Sequence, residues 1–88
     1  MTIKKIKLMN DVELLDYSML LACNKCGEGE IDILSYLGAV LITLKSFHYE
    51  YDISYERLYK IYKDIVEKLY EVSRGGYFTI VGGKEYEN

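Results

Sequence analysis

Apolar residues recur at helical spacing through most of the chain and give way to short β-branched or aromatic runs only towards its two ends. Residues 2–9, Thr-Ile-Lys-Lys-Ile-Lys-Leu-Met, mix Ile, Leu and Lys in short steps. That pattern predicts an edge strand whose lysines oppose pairing with another chain. Asn10 reads as an N-cap, with Glu13 placed to close a capping box and Met9 and Leu14 at the two staple positions. A first helix is predicted from Asp11 to about Cys23, buried along Val12, Leu15, Met19 and Ala22 and widened by Leu14, Leu20 and Leu21. Asn24, Gly27 and Gly29 end it.

A second helix is predicted from about Glu30, where Glu28, Glu30 and Asp32 meet the positive end of the helix dipole. Ile31, Leu34, Leu37, Val40, Leu41 and Leu44 form one face, and Ile33, Tyr36, Ala39 and Ile42 leave little polar surface on the other. That makes it the central helix, with Gly38 expected where a neighbouring helix comes close, and Lys45 and His48 suited to its C-terminal end. The third helix starts at Ser54 as N-cap, with Ile53 and Leu58 as staple, and runs from Tyr55 to about Ser73 with Leu58, Ile61, Ile65, Leu69 and Val72 on its core face. Gly75-Gly76 stops it, Tyr77 to Val81 reads as a strand, and Gly82-Gly83 as a hairpin turn into Lys84 to Glu87. The expected fold is α+β and helix-dominated, β-α-α-α-β: three helices with a small antiparallel sheet made by residues 2–9 and the C-terminal strand or hairpin.

Composition bounds this picture. Eighty-eight residues, half of them apolar, make one domain, 1–88. The Pro-free, Ile-, Lys-, Glu-, Tyr- and Asn-rich composition has the flavour of a low-GC bacterial or phage gene. The longest charge-free apolar stretch, Ile33 to Leu44, has 12 residues, short of the roughly 18 to 20 a membrane helix needs. Acidic residues follow Lys4, Lys5 and Lys7 where a signal peptide would be apolar, so a reducing cytoplasm is expected.

Little here points to chemistry. Cys23-Asn24-Lys25-Cys26-Gly27 is half of a zinc knuckle, whose other ligands would be His48 and a carboxylate or the same knuckle of a second subunit. It lies at a helix C-terminus, where the dipole disfavours a thiolate, so the expectation is structural cysteines and no cofactor. One histidine, and glycine pairs without the spacing of a phosphate loop, predict no enzyme. Three helices followed by a hairpin could form a winged helix that binds DNA, which is the alternative reading. Charge opposes it: the net charge is −3, and the third helix balances Arg57, Lys60, Lys63 and Lys68 against Glu56, Asp64, Glu67 and Glu71.

Tyrosine is the more informative excess, with six of the ten tyrosines between residues 49 and 70. Tyr55, Tyr59, Tyr62 and Tyr70 follow one face of the third helix, offset from its core face. Tyr49, Tyr51, Glu50, Asp52 and Glu56 flank the row. Tyrosine brings large apolar area and a polar tip at small entropic cost, which suits a protein contact surface. The expected function is therefore a small non-enzymatic regulator or inhibitor, acting as a homodimer, whose acidic, Tyr-rich face engages a larger basic protein of nucleic-acid-processing or host-defence type.

Overall fold

The computed structural model of the chain describes residues 3–81, with side chains from residue 6 onward. Its elements are α1 (Ile3–Leu8), α2 (Asp11–Cys26), β1 (Gly29–Asp32), α3 (Ile33–Tyr51), α4 (Tyr55–Val72) and β2 (Tyr77–Ile80). Helices dominate, and the sheet is a two-stranded antiparallel ladder of β1 and β2. Fold class and sheet type match the sequence reading. Among the described residues no helix is long and apolar enough to cross a membrane.

Two placements differ from expectation. Residues 3–8 are helical and take no part in the sheet. In so short a run the Ile3/Ile6 spacing of a helix and the Ile6/Leu8 alternation of a strand are both present, and packing decides. Here Ile6 is buried with the helices, and the place beside β2 is taken by β1. Residues 29–32, expected to hold the break after the first helix (Gly29) and the start of the second (from about Glu30), form that strand. Gly29↔Ile80, Glu30↔Thr79, Ile31↔Phe78 and Asp32↔Tyr77 pair, and Asp32 is the N-cap of α3. Its carboxylate accepts from the Ser35 hydroxyl at 2.6 Å, which holds it below the usual carboxylate range. The helix thus begins where its cap is, at Asp32, the last acid of the cluster and not the first.

The capping predictions for the other two helices hold. Asn10 Oδ1 accepts from the Glu13 backbone N–H and Glu13 Oε1 from that of Asn10, both at 2.9 Å, closing the box of α2. Ser54 accepts from the Arg57 N–H to open α4. Arg57 then reaches across to donate to the Asp11 carboxylate and to the Met9 carbonyl, tying the start of α4 to the start of α2.

The core lies where α2, α3 and α4 meet. Leu14, Ser18 and Ala22 are the fully buried row of α2, and Val12, expected in the core, is exposed. The small Ser18 and Ala22 let the other helices come close, and the Ser18 hydroxyl donates to its own Leu14 carbonyl at 2.6 Å, so it is buried at little polar cost. From α3 come Tyr36, Leu37, Val40, Leu44 and Phe47, and from α4 Leu58, Ile61, Ile65 and Leu69. Tyr36 is fully enclosed: its ring meets Phe78 of β2 edge to face at 5.0 Å, and its hydroxyl donates to the Met19 carbonyl at 2.8 Å. One tyrosine therefore joins α2, α3 and β2.

The chain turns from α4 into β2 through Gly75-Gly76. Arg74 and Tyr77 bridge around this pair, whose φ angles of 61° and 86° match a type I′ hairpin turn with left-handed backbone at both central residues. The hairpin turn expected at Gly82-Gly83 lies outside the described residues.

Candidate interaction face

The second helix of the sequence reading, now α3, is not covered all round. Its buried residues lie on one side, and Leu34, Leu41 and Ile42 are 75%, 42% and 60% exposed on the opposite side. Gly38 sits within this exposed row. A methyl group built on it would meet nothing within 4 Å, so among the described residues no helix comes close there. The expectation of a near neighbour at Gly38 fails, because β1, α2 and α4 all pack on the other flanks of α3.

Between α3 and α4 runs a groove of about 560 Å³, walled by Leu41, Leu44 and Lys45 on one side and Tyr55, Glu56, Leu58, Tyr59 and Tyr62 on the other. Its lining is largely apolar. The amphipathic spacing of α4 accounts for this: Leu58 and Ile61 go inward, and the row starting at Tyr55 falls one position round the helix, at the rim. Tyr59 is exposed, with the Lys63 ammonium 5.5 Å from its ring centroid. At the mouth, Tyr55 stacks on His48 at 3.7 Å, and His48 Nδ1 lies 2.9 Å from the Ile53 carbonyl. A hydrogen bond to Tyr49 and partial burial hold the Tyr55 phenol above its usual pKa. These contacts fix the α3–α4 connection, where Asp52 takes left-handed backbone at the helix C-cap.

The structure thus gathers Tyr55, Tyr59, Tyr62 and Glu56 at one groove, with Tyr49 beside its mouth and Tyr70 three turns along α4 from Tyr59. It separates Tyr51 and Glu50 from them. Both line a different pocket of about 320 Å³ with Ile6, Tyr17, Asn24 and Phe47, and Tyr51 is half-buried against Phe47. The acidic flank read from sequence is reduced to Glu56 at the groove and Asp52 in the turn, and Lys45 stands in the same wall. Leu34, Leu41 and Ile42 belong to the face and were assigned to the interior by sequence reasoning. Lys45 and the glycine in their row were the signal that this side of α3 is not enclosed.

Cys23 and Cys26 are free thiols in the last turn of α2. Cys23 Sγ lies 3.4 Å from the Tyr36 hydroxyl. Burial, then the neighbouring Cys23, pushes the Cys26 thiol up, away from the thiolate that metal or redox chemistry requires. Among the described residues no three His, Cys, Asp or Glu side chains come together as metal ligands, and His48 is engaged at the α3–α4 connection. Compared with protein-family models, curated proteins and solved structures, the chain matches none.

Proposed function

We propose that the chain is a small, non-enzymatic, protein-binding regulator whose contact surface is the α3–α4 face. The observation that carries this is the coincidence of an open apolar groove with exposed Leu34, Leu41, Ile42, Tyr55 and Tyr59 on one side of the molecule. Folding alone gives no reason to leave five large side chains together in water, whereas an interface core needs such a cluster with a polar rim, here Lys45, Glu56 and Lys63. The two free thiols suit a reducing compartment, so action inside the cell is part of the reading.

The test is affinity capture from the native host with wild type, Tyr59→Ala and Tyr55→Ala proteins, each first shown to be folded by circular dichroism. The expected result is a defined target recovered by the wild type, with affinity lowered about tenfold or more by each variant, as for a central interface tyrosine. Equal recovery by all three proteins would refute the assignment of the face.

A second reading, a DNA-binding winged helix, is favoured by the element order. A strand between the first two long helices, a three-residue connection between α3 and α4, and a strand after the last helix that pairs back onto the first match the element order of a winged helix-turn-helix, whose wing, expected at residues 77–87, falls mostly outside the described residues. Its weakness is electrostatic: α4 is charge-balanced, and its Arg57 is already engaged by Asp11. Binding to duplex DNA that falls steeply with salt would make this reading the better one, and indifference to DNA would remove it.

A further inference from the structure

We infer that one occupant of the α3–α4 face is a second copy of this chain, packed antiparallel with its own α3 across a two-fold axis at Gly38. The inference rests on the protein-binding reading above and deepens it by naming a partner.

Four observations converge. Gly38 occupies the middle of an exposed helix face, where glycine costs helix stability, and nothing among the described residues requires it because the space beyond is open. Close approach of another helix backbone is what a glycine there permits. Second, Leu34 and Ile42 lie one turn before and one turn after Gly38. A two-fold axis at Gly38 with antiparallel helices sets Leu34 of each copy against Ile42 of the other, which is the self-complementarity an isologous interface demands. Third, the same operation brings Lys45, seven residues after Gly38, to the partner's β1, where Glu30 is exposed. Neither has an ion-pair partner among the described residues. A parallel pairing would instead set Lys45 against Lys45, so charge chooses the antiparallel one. Fourth, Leu34 then enters the partner's groove at its Leu41 end, giving that groove an occupant. Leu34, Leu41, Ile42, Tyr55 and Tyr59 together expose on the order of 600 Å², most of the roughly 800 Å² per partner that a stable interface needs. Tyr70 lies outside the groove and stays available to another target.

The test is the mass of the full chain by light scattering and sedimentation from low micromolar to submillimolar concentration. The expected result is a monomer–dimer equilibrium, shifted at least tenfold towards monomer by Gly38→Arg. That site is exposed in the monomer, so the variant should keep its circular dichroism. Lys45→Glu and Glu30→Lys should each weaken the dimer several-fold, and the double variant should recover most of the loss, as only the antiparallel arrangement predicts. A wild type that stays monomeric throughout, or a dimer that is indifferent to Gly38→Arg, overturns the inference. So does a double variant no better than the singles. A monomeric wild type that still captures a target through Tyr59 leaves the regulator reading intact. A dimer that captures no other protein removes the external target and leaves the dimer.

Discussion

Gly38→Ala should strengthen the fold of the single chain and weaken its self-association. Glycine in a helix interior is about 0.5 to 1 kcal/mol worse than alanine, because it leaves more backbone freedom to lose on folding. That gain is realised only where the new methyl group meets no obstacle, and a methyl at Gly38 has nothing within 4 Å. An m-value of about 1.5 kcal/mol/M in urea is typical of so small a domain, so the midpoint should rise by about 0.3 to 0.7 M. The melting temperature should rise by about 2 to 8 °C. The assay is urea and thermal unfolding at low micromolar protein, where the monomer prevails, followed by sedimentation of the same variant at high concentration. There the methyl stands at the closest approach of the two helices, and the dimer should weaken. A loss of monomer stability would refute the description of Gly38 as open, and tighter self-association would refute its place at the crossing.

Two further outcomes test the interior and its boundary with the face. Tyr36→Phe removes the hydroxyl's bond to the Met19 carbonyl and its weaker contact with Cys23 Sγ, and should cost about 1 kcal/mol at neutral pH. Burial, with Cys23 beside the hydroxyl, holds the Tyr36 phenol well above its usual pKa, whereas the unfolded chain releases that proton near pH 10. Stability from this group is thus present below pH 10 and lost above it, by up to about 1.4 kcal/mol per pH unit. Urea melts between pH 9 and 11.5 should show a shallower alkaline loss in the variant, and an unchanged slope would contradict the buried phenol. Ile65→Ala, at a fully buried site of α4, should cost about 2 to 5 kcal/mol, and Tyr59→Ala about 0.5 kcal/mol or less. Comparable costs in equilibrium unfolding would mean that Tyr59 belongs to the core.

The legible parts of the fold are those written in local chemistry. The Asn10–Glu13 box, the Ser54 cap and the Leu58/Ile61/Ile65/Leu69 face are set by residues within a turn or two of one another, and each is where the sequence places it. Residues 3–8 and 29–32 are not, because each is too short for its own pattern to decide between helix and strand. What decides is a partner about 50 residues away: Phe78 and Ile80 pair with β1, and this leaves residues 3–8 to pack as a helix through Ile6. Helix α3 misleads for another reason. Its hydrophobicity nearly all round is the signature of a buried helix, yet the same composition is found here on a helix with one side in the core and Leu34, Leu41 and Ile42 exposed on the other. Among the tyrosines, the row Tyr55/Tyr59/Tyr62 was readable from helical spacing, whereas the removal of Tyr51 and Glu50 to another pocket depends on which way α3 faces at its end.

The pairing of β1 with β2 also sets the order of events as the chain is made. Tyr36 has its neighbours from α2 as soon as the first two long helices have emerged from the ribosome, but the edge of Phe78 lies well beyond the end of α3 at Tyr51 and arrives only after α4 has been made. Until then the nascent helices enclose the ring on one side only, and the strand at residues 29–32 has no ladder to join. Closure of this core therefore waits for residues 77–80, and the exposed face of α3 is complete in sequence well before the core behind it is sealed.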